Sequence, residues 1–251
     1  MDFEGKVVVV TGAARGIGRA IALAFARAGA HIALHYRIST AEAEETLKSL
    51  PGQGHSGFAA DLTDARKCQT LMEAVDARYR RLDILVNNAA IYEVMPLKDL
   101  DYEQWQATWQ RTLQANLVAP ANLCFLASRL MARHGGGKII NISSRGAYRG
   151  EPDAIAYGAA KSGLNQLTQS LAQALAAHNI FVAAVAPGYV YTDMAAAILD
   201  GPQGDAIRAQ SPLNRVAEVD EVAEAVIRLS KDGLMFATGA ILDLNGASYL
   251  R

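Results

Sequence analysis

Apolar positions along this chain follow two alternating rhythms. Short, nearly continuous apolar runs lie at residues 6–11, 31–36, 56–60, 84–87, 138–142, 180–186 and 241–244. Runs of that length, rich in β-branched residues and bounded by turn residues, predict buried strands. Between them, residues 19–28, 40–50, 65–79, 102–133, 162–177 and 219–230 carry the three-to-four spacing of amphipathic helices. Strand and helix alternate to the end with short connections, the βαβ rhythm of a parallel sheet. The pattern therefore predicts an α/β fold: one domain over residues 1–251, with a doubly wound parallel sheet of about seven strands and helices on both faces. Right-handed crossovers place ligands at the carboxyl ends of the strands. The rhythm falters at Gly201-Pro202-Gln203-Gly204, which breaks any helix there. Residues 188–212 are accordingly expected to form a movable segment.

Composition narrows the class. The chain has 251 residues, 51% of them hydrophobic, a net charge of −1 and a pI near 6.5. That is enough apolar material for one sizeable core. No basic block is present, so neither nucleic acid nor an anionic membrane is expected as a partner. The Val7–Val10 run is too short to cross a bilayer and no signal-peptide pattern opens the chain, so a cytoplasmic location is expected. Cys68 and Cys124 fall in helical stretches and read as small core residues in a reducing compartment. The five histidines lack ligand spacing, and no metal site is expected.

The first strand runs into Gly12-Ala13-Ala14-Arg15-Gly16-Ile17-Gly18 and then into an Ala-rich helix. Glycines at such a turn let the backbone approach a pyrophosphate, and the helix N-terminus adds free N–H groups and a positive dipole end. The spacing is Gly-x3-Gly-x-Gly rather than Gly-x-Gly-x-x-Gly, yet its position points to dinucleotide binding and a Rossmann fold. The second strand bears on which dinucleotide. It ends His35-Tyr36-Arg37-Ile38-Ser39-Thr40, without the acid that would hold a ribose 2′-hydroxyl. Arg37, helped by Arg15, suits a 2′-phosphate instead. NADP(H) is the expected cofactor, with NAD(H) the alternative.

Tyr157 and Lys161 stand four residues apart before the helical stretch at 162–177, a spacing that puts phenol and ammonium on one helix face. A neighbouring cation favours the phenolate and is expected to lower the tyrosine pKa from about 10. Such a tyrosine exchanges a proton with an alcohol or carbonyl oxygen, and Ser144, thirteen residues upstream, suits holding that oxygen.

Taken together, the segments resemble the short-chain dehydrogenase/reductase family over nearly the whole chain, in pattern most like its 3-oxoacyl-carrier-protein reductases. Four motifs occur in the family's order: Thr11 to Gly18, Asn87-Asn88-Ala89-Ala90, Ser144 with Tyr157-x3-Lys161, and Pro187-Gly188 followed by Thr192. Asn116, in Leu113-Gln114-Ala115-Asn116-Leu117, matches the fourth catalytic position. The resemblance implies that Tyr157 is the acid in carbonyl reduction and the base in alcohol oxidation. Lys161 would lower its pKa and bind the nicotinamide ribose, Ser144 would orient the substrate oxygen, and Asn116 would support a water-linked relay to Lys161. Asp61 would bind the adenine amine, Asn88 would flank the adenosine ribose, and Thr192 would approach the carboxamide. The cofactor-binding set so implied is Gly12, Arg15, Gly16, Ile17, Gly18, Tyr36, Arg37, Asp61, Leu62, Asn88, Ala89, Pro187, Gly188, Val190 and Thr192, joined by Tyr157 and Lys161. The chain departs from the family pattern in having Ala90 where glycine is usual, and in a longer stretch over residues 97–109.

Between Ser144 and Tyr157, Arg145 and Arg149 read either as attractors of an anionic substrate or as partners of Glu151 and Asp153 in solvated pairs. Arg129, Arg133 and Lys138 are candidates for docking an acidic acyl carrier protein, while the helix end at Ala176-Ala177-His178-Asn179 offers no arginine for it. Three readings stand: an NADPH-dependent reductase of a ketone or 3-oxoacyl thioester, an NAD-dependent dehydrogenase of a sugar, polyol or other secondary alcohol, and a non-catalytic nucleotide-binding scaffold. The apolar excess on helices 102–133 and 162–177 suggests a homo-oligomer, by resemblance a tetramer, with a dimer next.

Overall fold

The computed structural model describes residues 2–251, apart from the side chain of Met194. Its centre is a seven-stranded, wholly parallel sheet of β1 (Val7–Val10), β2 (His31–Tyr36), β3 (Ser56–Ala59), β4 (Ile84–Asn87), β5 (Gly137–Ile142), β6 (Ile180–Pro187) and, numbered ahead for the last strand, β9 (Ile241–Leu244). The order across the sheet is β3-β2-β1-β4-β5-β6-β9. Chain order reverses between β1 and β4, and ligands of open α/β sheets bind in the crevice at that reversal. β1, β4 and β6 are buried along their whole length, which is why they read as unbroken apolar runs.

Helices cover both faces. On one lie α1 (Gly16–Arg27), α2 (Thr40–Ser49) and α9 (Val219–Ser230), closing a core around Phe25, Ile21, Val226 and Phe181. On the other lie α3 (Ala65–Tyr79), α4 (Tyr102–Leu113), α5 (Ala119–Ala132) and α6 (Ile155–Leu175), around Leu71, Leu123, Met131 and Val182. The continuous stretch Tyr102–Ala132 is long and apolar enough to cross a membrane by length and composition alone. Here its α5 portion seats Leu123, Cys124, Ala127 and Met131 in the second core.

The helix predicted over 102–133 is interrupted by one π-helical turn, Gln114–Val118, which carries Asn116. The helix predicted to begin at residue 162 begins at Ile155 instead. Gly158 in its first turn concealed that start, since glycine weakens a helix signal. Residues 188–212 form the short strand β7 (Val190–Tyr191) and helices α7 (Asp193–Leu199) and α8 (Gly204–Arg208), broken at the expected Gly-Pro. β7 pairs with β8 (Ala217–Glu218) in a separate two-stranded sheet.

Candidate active site

At the end of β1, Thr11 ties two strands together. Its hydroxyl donates to Val86 O (3.3 Å) and accepts from the N–H groups of Asn88 (2.9 Å) and Ala89 (3.0 Å). Asn88 answers with Nδ2 donated to Thr11 O (2.9 Å) and Gly12 O (3.2 Å). Two glycines of the turn are steric requirements. Gly12 has φ +63°, and a Cβ there would lie 3.0 Å from Ala89 Cα. A Cβ on Gly18 would lie 2.3 Å from Gly12 O. α1 starts directly behind the turn with no side-chain cap and no acidic residue in its first turn. Its free N–H groups and positive end therefore face the cradle. A backbone-lined, cationic cradle of this kind fits a dinucleotide pyrophosphate.

His35 was not singled out in the sequence, yet it fixes this turn. The ring is buried; Nδ1 accepts Gly12 N–H (3.1 Å) and Nε2 lies 3.0 Å from Ala60 O. That pattern requires the neutral Nε2–H tautomer, and burial holds the pKa below the usual histidine value. Just beyond, Arg37 and Arg15 are both exposed, and neither has a carboxylate within salt-bridge distance among the described residues. Asp61 accepts from Thr63 N (3.0 Å) and Thr63 Oγ1 (2.7 Å), bonds that hold its carboxyl below the ordinary range. Leu62 is buried beside it. Thr192, far away in sequence, caps α7 (Ala195 N to its Oγ1, 3.2 Å) and brings its methyl to within 3.7 Å of where a Cβ on Gly16 would stand. Gly188 donates to Leu244 O (3.0 Å) beside the end of β6, and Val190 is buried after it.

Ser144 leaves β5 in extended conformation and its Oγ accepts Gly146 N–H (3.0 Å). Tyr157 and Lys161 lie inside the first two turns of α6, so the four-residue spacing does place them on one face. Lys161 is buried and donates Nζ to Ile142 O (2.8 Å); that ammonium sits over the Tyr157 ring, 5.6 Å from its centroid. Tyr92 packs edge-on to Tyr157 with centroids 5.0 Å apart. Asn116 clamps the loop after β4, accepting Ile91 N–H (2.9 Å) and donating to Ile91 O (2.8 Å). The widened π turn presents that amide toward the loop; such turns recur at functional sites.

The electrostatics differ from the sequence expectation. Burial pushes the Tyr157 phenol up to about 12, opposed by the nearby Ser144 hydroxyl and assisted by Glu151 and Tyr92. Lys161 does not lower it, because the ammonium is engaged by a backbone carbonyl and faces the ring. Lys161 itself is pulled down to about 8 by burial. Both groups resist charge, and Tyr157 holds its proton at neutral pH.

Behind the site runs a relay of buried amides that the sequence reading passed over. Asn87 Nδ2 donates to Asn141 Oδ1 (2.9 Å), and Asn141 Nδ2 donates to Thr168 Oγ1 (2.8 Å). It couples β4, β5 and α6, and the signal was there: polar residues inside otherwise apolar runs. The two arginines between Ser144 and Tyr157 do not form solvated pairs. Arg145 is buried and donates to Ser248 Oγ (2.7 Å); Arg149 donates to Gln210 Oε1 (2.8 Å).

Residues 6–203 match the family model described as short chain dehydrogenase. The D-threitol dehydrogenase of Mycolicibacterium smegmatis is 36% identical over 245 residues, covering 97% of this chain and 92% of that protein. The 3-oxoacyl-[acyl-carrier-protein] reductase of Escherichia coli is 36% identical over 256 residues, covering all of both. Among solved structures, a dehydrogenase/reductase from Sinorhizobium meliloti superposes with a TM-score of 0.91 at 31% identity, covering 99% of this chain and 97% of that one. A short-chain type dehydrogenase/reductase from Mycobacterium ulcerans does so with a TM-score of 0.91 at 29% identity, covering 99% and 91%.

Proposed function

This chain belongs to the short-chain dehydrogenase family of NAD(P)-dependent oxidoreductases, and we propose that it uses NADPH to reduce a carbonyl, a ketone or 3-oxoacyl thioester, to a secondary alcohol. The observation that carries this reading is Tyr157, a partly buried phenol that keeps its proton at neutral pH beside Ser144 and over Lys161. A protonated tyrosine so placed can give its proton to a carbonyl oxygen held by Ser144.

NADPH, when bound, supplies the hydride. Gly12, Arg15, Gly16, Ile17 and Gly18 would hold its pyrophosphate, with Asn88, Ala89, Asp61 and Leu62 along the adenosine. Tyr36 and Arg37 would face the 2′-phosphate, and Pro187, Gly188, Val190, Thr192 and Lys161 the nicotinamide half. The site's own part is proton delivery and alignment. Tyr157 Oη releases its proton to the carbonyl oxygen while Ser144 Oγ fixes that oxygen by a hydrogen bond. Lys161 and Asn116 support reprotonation of the phenolate that remains. Holding donor and acceptor in line supplies much of the acceleration. The segment 188–212 acts as a lid that excludes water.

The absence of an acid after β2 and the exposed Arg37 support NADP(H) over NAD(H). NAD-linked oxidation of a polyol is the second reading, favoured by the likeness to a threitol dehydrogenase. The likeness to a carrier-protein reductase raises acyl carrier protein as a partner. However, Arg133 is paired with Asp76 and Lys138 with Asp232, which leaves Arg129, over the Phe125 ring, as the member of the basic trio without a salt bridge among the described residues. A small-molecule carbonyl is therefore preferred. We place the enzyme in the cytoplasm as a homo-oligomer.

Fluorescence titration with NADPH and NADH, followed by a ketone and 3-oxoacyl panel, tests the reading. NADPH should bind more tightly, and Tyr157→Phe should abolish turnover while NADPH still binds. Tighter NADH would favour the polyol reading, and turnover surviving in the Tyr157 variant would remove that residue from the chemistry.

A further inference from the structure

We propose that the substrate carries a carboxylate, held by the guanidinium of Arg145 in a cavity between residues 188–217 and the C-terminal segment. This inference rests on the carbonyl-reductase reading and names the class of molecule the site takes: an oxo acid, reduced to its hydroxy acid.

The cavity has a volume of about 250 Å³, and Arg145, Tyr189, Ser211, Asn245 and Ser248 are among the residues lining it. Arg145 is 5% exposed. Its side chain's only hydrogen bond among the described residues is from Nη1 to the hydroxyl of Ser248, and the guanidinium carbon lies over the Tyr189 ring, 5.4 Å from the centroid. No carboxylate comes within salt-bridge distance of it among the described residues. A guanidinium stays charged at any physiological pH. Buried arginine is ordinarily paired, because leaving such a charge without a counter-ion is costly.

The neighbouring charges balance in a way that specifies the missing one. Arg215 is held by Glu221 through two bonds of 2.7 Å, and Arg251 is paired with Asp243 at 2.8 Å. Both pairs are neutral. Arg149, whose partner Gln210 is uncharged, and Arg145 stand near one half-buried carboxylate, Glu151. Two positive charges against one negative leave a net charge of one. Asp153 is exposed, where water screens it. A single unit calls for a monoanion rather than a phosphate, and a planar guanidinium suits a planar carboxylate.

Arg145 and Tyr189 join the cavity wall to the catalytic segments along the chain. Arg145 follows Ser144 directly, and Tyr189 follows Gly188 at the end of β6. Glu151 packs under Gly146, where a Cβ would stand 2.9 Å from its Cγ, and its charge reaches both Arg145 and Tyr157. The outer wall is latched rather than loose: Ser211 Oγ donates to Gly246 O (2.6 Å), joining residues 188–217 to the C-terminal segment.

The test compares 3-oxobutanoate with its methyl ester, which removes the charge and keeps the ketone, in the native protein, Arg145→Met and Ser248→Ala. In the native protein, kcat/KM for the acid should exceed that for the ester by about tenfold or more, through KM. The ratio should fall to about one in Arg145→Met and to an intermediate value in Ser248→Ala, which keeps the charge but loses its positioning bond. Equal handling of acid and ester by the native protein, with both turned over, overturns the carboxylate site and leaves the reductase reading standing. Calorimetric binding of 3-hydroxybutanoate against its methyl ester, in the presence of NADP+, separates the opposite case. Tighter binding of the acid without turnover of either ketone upholds the site and sinks the reductase reading. Retained NADPH binding and melting temperature show that a variant has folded.

Discussion

Lys161 and Tyr157 sit within one turn of each other and are displaced in opposite directions by the same burial. Lys161 falls from 10.5 to about 8, so between those values the unfolded chain binds a proton that the folded chain has released. Stability from this residue therefore rises as pH climbs from about 8 toward 10.5, by on the order of 3 kcal/mol at full effect. Tyr157 rises from 10 to about 12, so above pH 10 the folded state keeps a proton that the unfolded state loses, and its contribution then falls. Urea midpoints at pH 7.5, 8.5 and 9.5 should climb in the native protein and stay level in Lys161→Met; parallel curves would disprove the buried-lysine account. His35 predicts a second pH effect, on the acid side. Protonation at Nδ1 would set two donors, that nitrogen and Gly12 N–H, against each other. Its lowered pKa places this below the usual histidine value, with Asp61 as the charged group bearing on it. NADPH affinity should thus weaken as pH falls below the usual histidine range, and His35→Asn, which can still accept from Gly12, should flatten that dependence. At this scale the sequence reveals chemistry better than state. The types and spacing of Ser144, Tyr157 and Lys161 were readable, but the direction of the Tyr157 shift was not. It depends on where the ammonium points, and a contact between Lys161 and Ile142 O decides that.

Among the elements, the strands were legible almost residue by residue, because a buried parallel strand has no alternative to an apolar run bounded by turn formers. Helix starts were less so. α6 begins seven residues before its expected start, and its tyrosine and lysine are consequently held on rigid helix rather than on a preceding loop. The π turn at Gln114–Val118 was not legible because the helix there packs against α4, α5 and α6, so no single apolar face exists for an extra residue to displace. At Gly16 a Cβ would stand 3.7 Å or more from anything, so Gly16→Ala costs only the strain of φ +56°, about 1 kcal/mol. At Gly18 the Cβ would meet Gly12 O at 2.3 Å and Asn88 Nδ2 at 2.6 Å, both held by the strand ends. Gly18→Ala should therefore cost about 1–3 kcal/mol and most of the NADPH affinity. Equal melting temperatures and equal NADPH affinities in the two variants would show that the turn is looser than its geometry implies.

For the molecule as a whole, the alternation of elements and the right-handed crossover rule were enough to fix a parallel sheet with its site at the carboxyl edge. What they could not supply is how distant loops meet there. Arg145 reaches Ser248 across 103 residues, and Thr192 comes to rest on the Gly16 turn; no local pattern encodes either contact. The same gap affects the expected self-association surface. The helices at 102–133 and 162–177 were expected to carry it, yet the exposed positions of α6 are Ser162, Gln166, Gln169, Ser170 and Gln173 with the small Ala159 and Ala174, and none is large and apolar. Exposed large apolar residues gather instead near edge strand β9: Leu234, Met235 and Phe236 before it, Leu242 on it and Leu250 after it. A sheet edge flanked by such residues is a template for pairing with a second copy. Phe236 is 106% exposed, so changing it leaves the monomer's packing intact. Phe236→Asp should lower the mass found by light scattering by half, with the melting transition of the smaller species still cooperative. If the mass instead holds and falls only when Val118 of the π turn and Phe125 of α5 are made acidic, the copies meet through the helices as the sequence pattern first suggested.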